Sequence, residues 1–249
     1  IVGIYGFVYM AVFGAFYFLV PYLINKPVKH PKLVVTNFWL QIIGVMVCWA
    51  SGFFGLFNAL YTLYWPLPVS FDRVPVVGSI FFMLGAAAIM VNILLFSYNI
   101  FKTVLSKNGD GSYTLGQFLR AAFGIPRLMK LLGKEDKKAV NMDYNGMPVF
   151  IVAVARGSID TVINAIVLLS AGVLILVYGL FALFGNPLNP LAVDALIFKN
   201  VYWWGLDMVA DGNALIYTAG VWYLLVPLLT GRPLYGASVV KTVIMVDLL

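Results

Sequence analysis

The chain has 249 residues, 62% of them hydrophobic and 10% charged, and its formal net charge is +6. Soluble domains carry about 25% charged residues, so this composition excludes a soluble globular protein and indicates an integral membrane protein. In such a protein the positive charge is a topology signal and does not indicate nucleic-acid binding. The single cysteine, Cys48, excludes an intrachain disulfide, and the single histidine, His30, excludes a metal site built from this chain's imidazoles alone. Ile1 already lies in an apolar run with no charged segment before it, which is unlike a signal peptide, and we expect a longer parent chain.

Apolar stretches that can cross about 30 Å of hydrocarbon recur along the chain. The predicted spans are residues 1–24, 33–63, 76–104, 148–184 and 201–229, and a further helix begins near residue 237. Residues 114–132 carry an amphipathic pattern that predicts a helix lying on the membrane surface. The sequence therefore predicts an all-α polytopic bundle in three parts: three transmembrane helices in 1–104, a cytoplasmic segment in 105–147, and two transmembrane helices with the start of a third in 148–249.

Basic residues are distributed unevenly over the predicted loops. Three lysines follow the first span, eight Lys and Arg residues lie between Lys102 and Lys138, and Arg232 and Lys241 follow the fifth span. The two remaining loops carry one basic residue each. Because positively charged loops stay on the cytoplasmic side, the first set of loops is predicted to be cytoplasmic.

The end of the first span resembles the end of the fifth. Each span ends in Val-Pro, followed by a basic residue and a second proline, and the two copies are 206 residues apart. The matching residues are Val20-Pro21, Lys26 and Pro27 in the first copy, and Val226-Pro227, Arg232 and Pro233 in the second. This pattern predicts an internal repeat in which the two helices have equivalent places.

Two acidic residues, Asp207 and Asp211, lie inside the fifth apolar span. Positions i and i+4 share one face of a helix, and a carboxylate inside a bilayer is costly. The pair is therefore a candidate proton relay, and we expect both side chains to face the bundle interior near its outer third. A structural alternative stays open, because Gly205 and Gly212 bracket the acids and such glycines mark helix kinks whose backbone the acids would cap.

Arg156 and Asp160 form a second i, i+4 pair near the start of the fourth span, and Asn164 follows one turn later. The interpretation we favour is a local ion pair at the membrane interface. A functional intramembrane pair is the alternative.

Three runs carry a resemblance to a known family: Tyr202-Trp203-Trp204, Asp207 through Gly212, and Leu229-Thr230-Gly231. They resemble the sixth helix of the catalytic subunit of haem–copper oxidases, and most of all its nitric oxide reductase branch. The first span and the residues after it are similar to the second helix of that subunit and its connection to the third. The residues on which this second likeness depends are Tyr17 through Pro21, Pro31 through Leu33, and Phe38 through Leu40.

The resemblance implies a fold like helices two to seven of subunit I. In that family twelve core helices form three pseudo-equivalent groups of four, and pseudosymmetry relates the second helix to the sixth, which agrees with the repeat. The resemblance also implies haem with copper or non-haem iron as cofactors. It implies other membrane subunits of a respiratory complex in the cell inner (plasma) membrane as partners, and quinol or cytochrome c as electron donor.

The ligand positions depart from the family's pattern. Asp207 stands where the family has the first ligand of the active-site copper or non-haem iron, so it is also a candidate metal ligand, although a carboxylate suits copper poorly. Asp211 occupies the position of the reductase-branch glutamate. The low-spin haem ligand falls at or near Ile1 and the paired histidines of the seventh helix fall after Leu249, so this chain does not show them.

Three functions follow from these observations. The first is electron transfer to oxygen or nitric oxide, coupled to proton movement, by a respiratory subunit of the haem–copper type. The second is a relative that has lost its ligands and serves as a structural or proton-conducting subunit. The third is a cation or proton transporter that uses Asp207 and Asp211. Haem absorption separates the first from the other two, and flux in liposomes identifies the third.

Overall fold

The computed structural model describes residues 2–56, 65–67, 69–71, 74–105, 116, 129, 132–133 and 148–246. Every regular element in these ranges is helical. The elements are a π-helical segment Val2–Val8, α1 Tyr9–Ile24, α2 Pro31–Phe53, α3 Val76–Leu105, α4 Val149–Leu183, a 3-10 turn Pro190–Ala192, α5 Ala195–Asp207, a second π-helical segment Met208–Gly212, α6 Asn213–Thr230 and α7 Ala237–Val246. Five stretches among them are long and apolar enough to cross a membrane, so the predicted all-α membrane fold is confirmed.

Two predicted spans have wrong boundaries. The second was predicted to run to residue 63, but α2 ends at Phe53. The fifth was predicted from residue 201, but its helix begins at Ala195, because the Asp194 side chain accepts hydrogen bonds from the Leu196 and Ile197 amides. Such an N-cap satisfies amides that the first turn leaves unpaired. The predicted surface helix at 114–132 and most of the segment 105–147 lie outside the described residues.

The described chain forms two compact units. The first unit contains Ile1–Met10, Val35–Leu95 and Thr161–Gly212. Its core is an aromatic and aliphatic cluster around Trp65, whose ring centroid lies 4.9 Å from that of Phe198. In the same unit α2 and α3 pack closely through glycines, because a Cβ at Gly44 would meet Ile89 and one at Gly85 would meet Cys48. Small residues allow this approach of two membrane helices.

The second unit contains Ala11–Val34, Phe96–Asp160 and Asn213–Leu249. Its core is an aromatic cluster in which Phe16 contacts Phe96, Phe150 and Tyr217, at centroid distances of 6.0, 4.9 and 5.1 Å. All four rings are buried. A Cβ at Gly157 would overlap the Tyr217 ring, so a glycine is needed for α4 to approach α6.

The predicted ion pair between Arg156 and Asp160 forms in the second unit, with both side chains largely buried. Arg156 Nε also donates to the Ile244 carbonyl of α7 at 3.1 Å. The pair therefore joins α4 to the helix that follows α6, which a local ion pair within α4 alone would not do.

The predicted repeat appears in the backbone itself. Four structural landmarks recur 206 residues apart: the start of a π-helical segment at Val2 and Met208, a proline within the following helix at Pro21 and Pro227, a left-handed residue after that helix at Asn25 and Gly231, and the start of the next helix at Pro31 and Ala237. In the first copy the Asn25 amide bonds to the Tyr22 carbonyl and the Lys26 amide to the Pro21 carbonyl, which is a Schellman cap. The same order of backbone features in both copies supports the internal repeat.

Candidate functional site

The two candidate acids lie on the outward face of the helix that α5, the second π-helical segment and α6 form. Gly205, Val209 and Asn213 are buried at intervals of four residues, whereas Asp207 and Asp211 are exposed in the described chain. The expectation that both acids face the interior of this bundle is therefore wrong for the described residues. The reason is helical spacing, since the buried stripe already occupies the opposite face.

The structure does bring the two acids together. Asp207 and Asp211 lie one helical turn apart on the same exposed face, close enough to interact electrostatically. The pair therefore presents two adjacent carboxyl groups, which can accept hydrogen bonds when ionised and donate them when protonated.

A tyrosine holds the backbone between the acids. The Tyr9 hydroxyl donates to the Val209 carbonyl, and both residues are buried. Val209 lies in the π-helical segment Met208–Gly212, where the regular α-helical ladder is interrupted. The contact therefore gives the segment that carries Asp211 a fixed attachment to α1.

Tyr5 is an ionisable group near the pair in the first unit. Tyr5 lies close enough to Asp207, Asp211 and Tyr202 to interact with them electrostatically. Its ring stacks on that of Tyr9 at a centroid distance of 5.5 Å. Tyr5 therefore lies in the neighbourhood of the acid pair, in the same unit.

A buried amide network continues from Tyr5 into α2 and α3. Gln41 Nε2 donates to the Tyr5 carbonyl at 2.6 Å, and Asn92 Nδ2 donates to Gln41 Oε1 at 2.6 Å. Asn37 Nδ2 donates to the Asn92 carbonyl at 3.0 Å and to its Oδ1 at 2.5 Å. The three amide side chains are almost completely buried, and their hydrogen bonds hold the first π-helical segment in place.

Sequence reasoning missed these neighbours, although a signal for some of them exists. Asn37 and Gln41 are four residues apart in an apolar span, as Asp207 and Asp211 are, and polar residues in such spans need partners. No comparable signal marks Tyr5 or Tyr9. Tyrosine is common in membrane helices, and only the fold places these two beside the acids.

The described residues do not fit the metal centre that the resemblance implies. No group of three or more His, Cys, Asp or Glu residues that could hold a metal ion occurs among them. His30, the one imidazole of the chain, belongs to the second unit, whereas the acids belong to the first. Copper sites favour imidazole and thiolate donors, so a pair of carboxyl groups is a poor donor set for copper. The candidate metal-ligand role of Asp207 gains no support from its surroundings.

Comparison with protein families gives one match. The family model described as cytochrome c and quinol oxidase polypeptide I matches residues 1–247. Comparison with the curated proteins and with the solved structures gives no significant match. The family consists of multi-pass membrane oxidoreductases of the respiratory chain, which bind haem and copper and work with other subunits of a respiratory oxidase complex.

The match extends over almost the whole chain, and the five long apolar helices agree with it. The protein is accordingly a multi-pass protein of the plasma membrane and has the helical fold of a respiratory oxidoreductase subunit. It belongs to the family of cytochrome c and quinol oxidase polypeptide I, the catalytic subunit of the haem–copper oxidases.

Proposed function

We propose that this chain is the proton-handling part of a haem–copper-type respiratory complex, and that Asp207 and Asp211 act together as a proton relay. The observation that supports the proposal is the position of the two carboxyl groups, one helical turn apart on the same exposed face of the helix. A proton can pass between two acids in this arrangement with little movement of the backbone.

The length of the helix is consistent with water reaching the exposed acids. About 20 residues cross the hydrocarbon of a bilayer, and the apolar stretch that contains the acids ends at Thr230. Counted back from that end, Asp207 and Asp211 lie at the outer boundary of the membrane, where water can reach a carboxylate. The neighbouring Trp204 is exposed there, as interfacial tryptophans are. An acid pair at this level is suited to exchange protons with the outer side.

The chain's own residues would have separate tasks in the relay. Asp207 and Asp211 hold the proton, and Tyr9 holds the backbone between them through the Val209 carbonyl. Tyr5 gives a phenol beside the pair, and Gln41 keeps the Tyr5 backbone in position. The described residues do not fit a haem or copper centre, so the proposed relay uses the side chains of this chain alone.

The family resemblance also suggests the branch of the family, the electron acceptor and the electron donor. The tryptophan pair Trp203-Trp204 followed by an acid and glycine at Asp211-Gly212 favours the nitric oxide reductase branch, with nitric oxide or oxygen as electron acceptor. Quinol and cytochrome c are the candidate electron donors. Turnover of the isolated complex with each donor and each acceptor tests these assignments.

A second function is favoured by the kind of metal-ligand side chains that the described residues contain. Asp207 stands at a metal-ligand position, and a metal-binding cluster is lacking among the described residues. These observations favour a relative that has lost its metal ligands and conducts protons within a respiratory complex. Haem absorption of the purified chain distinguishes the two functions, because only the first requires haem bound to this chain.

The relay is tested with Asp207→Asn and Asp211→Asn in the intact complex reconstituted in liposomes. We expect each variant to assemble normally and to lower turnover and proton release by about 100-fold, since a positioned proton-transfer group contributes roughly that factor or more. Turnover is followed by consumption of oxygen or nitric oxide, and proton release by a pH-sensitive dye.

Asp194→Asn is the matched control. It removes a carboxylate from the same helix, but asparagine is an equally good N-cap, so turnover should not change. If both relay variants keep full turnover and proton release, the acids are structural and the relay does not exist.

A further inference from the structure

The end of α3 and the turn before α2 form a basic cluster in the second unit. Its members are Lys29, His30, Tyr98 and Lys102, called here the Tyr98 cluster. The His30 ring stacks on the Tyr98 ring at a centroid distance of 5.8 Å, and Lys102 Nζ lies 5.7 Å from the centroid of the same ring. One aromatic ring therefore positions two basic side chains.

The turn that carries this cluster is held by hydrogen bonds to α3. The His30 amide donates to Asn99 Oδ1 at 3.1 Å, and Asn99 Nδ2 donates to the His30 carbonyl at 3.0 Å. The Lys29 amide donates to Thr103 Oγ1 at 3.1 Å. Because these bonds fix the backbone at two successive residues, Lys29 and His30 project from a rigid frame.

The cations of the cluster have no carboxylate partner among the described residues. In the described part of the second unit the one acidic residue is Asp160, and it pairs with Arg156. Lys29 and Lys102 are exposed, and neither forms an ion pair with a described residue. The positive charge of the cluster is thus available to an external anion.

The position of the cluster identifies the anion. A 30-residue helix such as α3 is longer than the roughly 20 residues that cross the hydrocarbon, so its last turns reach the level of the lipid headgroups. The charge of the loops places this end on the cytoplasmic side, where anionic lipids attract basic residues. We infer that the Tyr98 cluster binds the phosphate of one anionic phospholipid, through the ammonium groups of Lys29 and Lys102 and the imidazole of His30.

The test is native mass spectrometry of the intact complex, titrated in detergent with phosphatidylglycerol or with phosphatidylcholine. We expect wild-type protein to bind one phosphatidylglycerol more tightly than any phosphatidylcholine. Lys29→Gln and Lys102→Gln should each weaken that binding by about fivefold, as the loss of one surface cation does. Tyr98→Phe keeps the ring and should bind like wild type, whereas Tyr98→Leu should weaken binding.

Arg232→Gln is the matched control. Arg232 is an exposed cation at the equivalent turn after α6, and the described structure gives it no aromatic ring contact. If phosphatidylglycerol binds no more tightly than phosphatidylcholine, or if Arg232→Gln weakens binding as much as Lys102→Gln, the cluster is part of a diffuse positive surface and the proposal is overturned.

Discussion

The turn between α1 and α2 and the turn between α6 and α7 have the same backbone plan and opposite surroundings. In both, a helix with an internal proline ends at a left-handed residue, Asn25 with φ of 50° and Gly231 with φ of 63°. The first turn is fastened to α3 by Asn99 and Thr103. The second is open, and Tyr235 within it is 99% exposed.

The difference shows which features of a repeat are local. A proline and a left-handed residue act through the backbone of their own segment, so both copies keep them. Burial depends on neighbours that the repeat does not duplicate. Lys26 is buried, whereas its counterpart Arg232 is exposed. The first turn has consequently become part of a core, and the second has stayed on the surface.

The largest loss of stability is expected from breaking the ion pair that attaches α7, which follows the second turn, to α4. Arg156→Met leaves Asp160 without its partner and removes the bond from Nε to the Ile244 carbonyl. Breaking a buried ion pair on one side costs about 3–5 kcal/mol. We therefore expect a large fall in the thermal midpoint of the purified complex, measured by loss of assembled protein.

The double variant Arg156→Met, Asp160→Leu sharpens this result. It removes both charges, and apolar replacements of a buried pair are often neutral, so most of the stability should return. If the single variant is as stable as wild type, the pair does not hold α7, and both turns are equally independent of their surroundings.

A smaller effect is expected at the first turn. Asn99→Ala removes the partners of the His30 amide and carbonyl at a buried site. Leaving buried polar groups unsatisfied costs about 1–3 kcal/mol. Trypsin should then cut after Lys29 faster than in wild type. Equal cleavage in both proteins would show that the first turn is no better fastened than the second.

The smallest effect is a dependence on pH that only the first turn should show. Burial lowers the pKa of Lys26 below its ordinary value of 10.5. Between the lowered pKa and 10.5 the unfolded chain binds more protons than the folded one, so stability rises with pH across that window. Burial lowers the pKa of Lys241 in α7 as well, so Lys26→Met should reduce this rise in thermal midpoint without removing it, and Arg232→Met should leave it unchanged. A rise as large in Lys26→Met as in wild type would assign it to Lys241.

Hydropathy located the first, third and fourth membrane spans to within one or two residues, but it placed the end of the second ten residues too late, at 63 instead of Phe53. The third span was predicted at 76–104 and is found at Val76–Leu105. It failed where a single polar group decides, because Asp194 begins α5 six residues before the predicted start. The spacing of Asp207 and Asp211 correctly indicated that they share a face. Which face that is depends on the packing of Gly205 and Val209, and no pattern in the acids themselves contains it.

The sequence by itself determined the membrane class, the number of long spans, the family resemblance and the repeat, because these depend on composition and on short-range backbone preferences. Only the tertiary structure decided that Tyr5 and Tyr9 approach the acid pair, that Gln41, Asn92 and Asn37 form one network, and that Arg156 reaches α7. These contacts join residues that are far apart in the chain. Helix packing selects them, and helix packing is a property of all the contacting surfaces together.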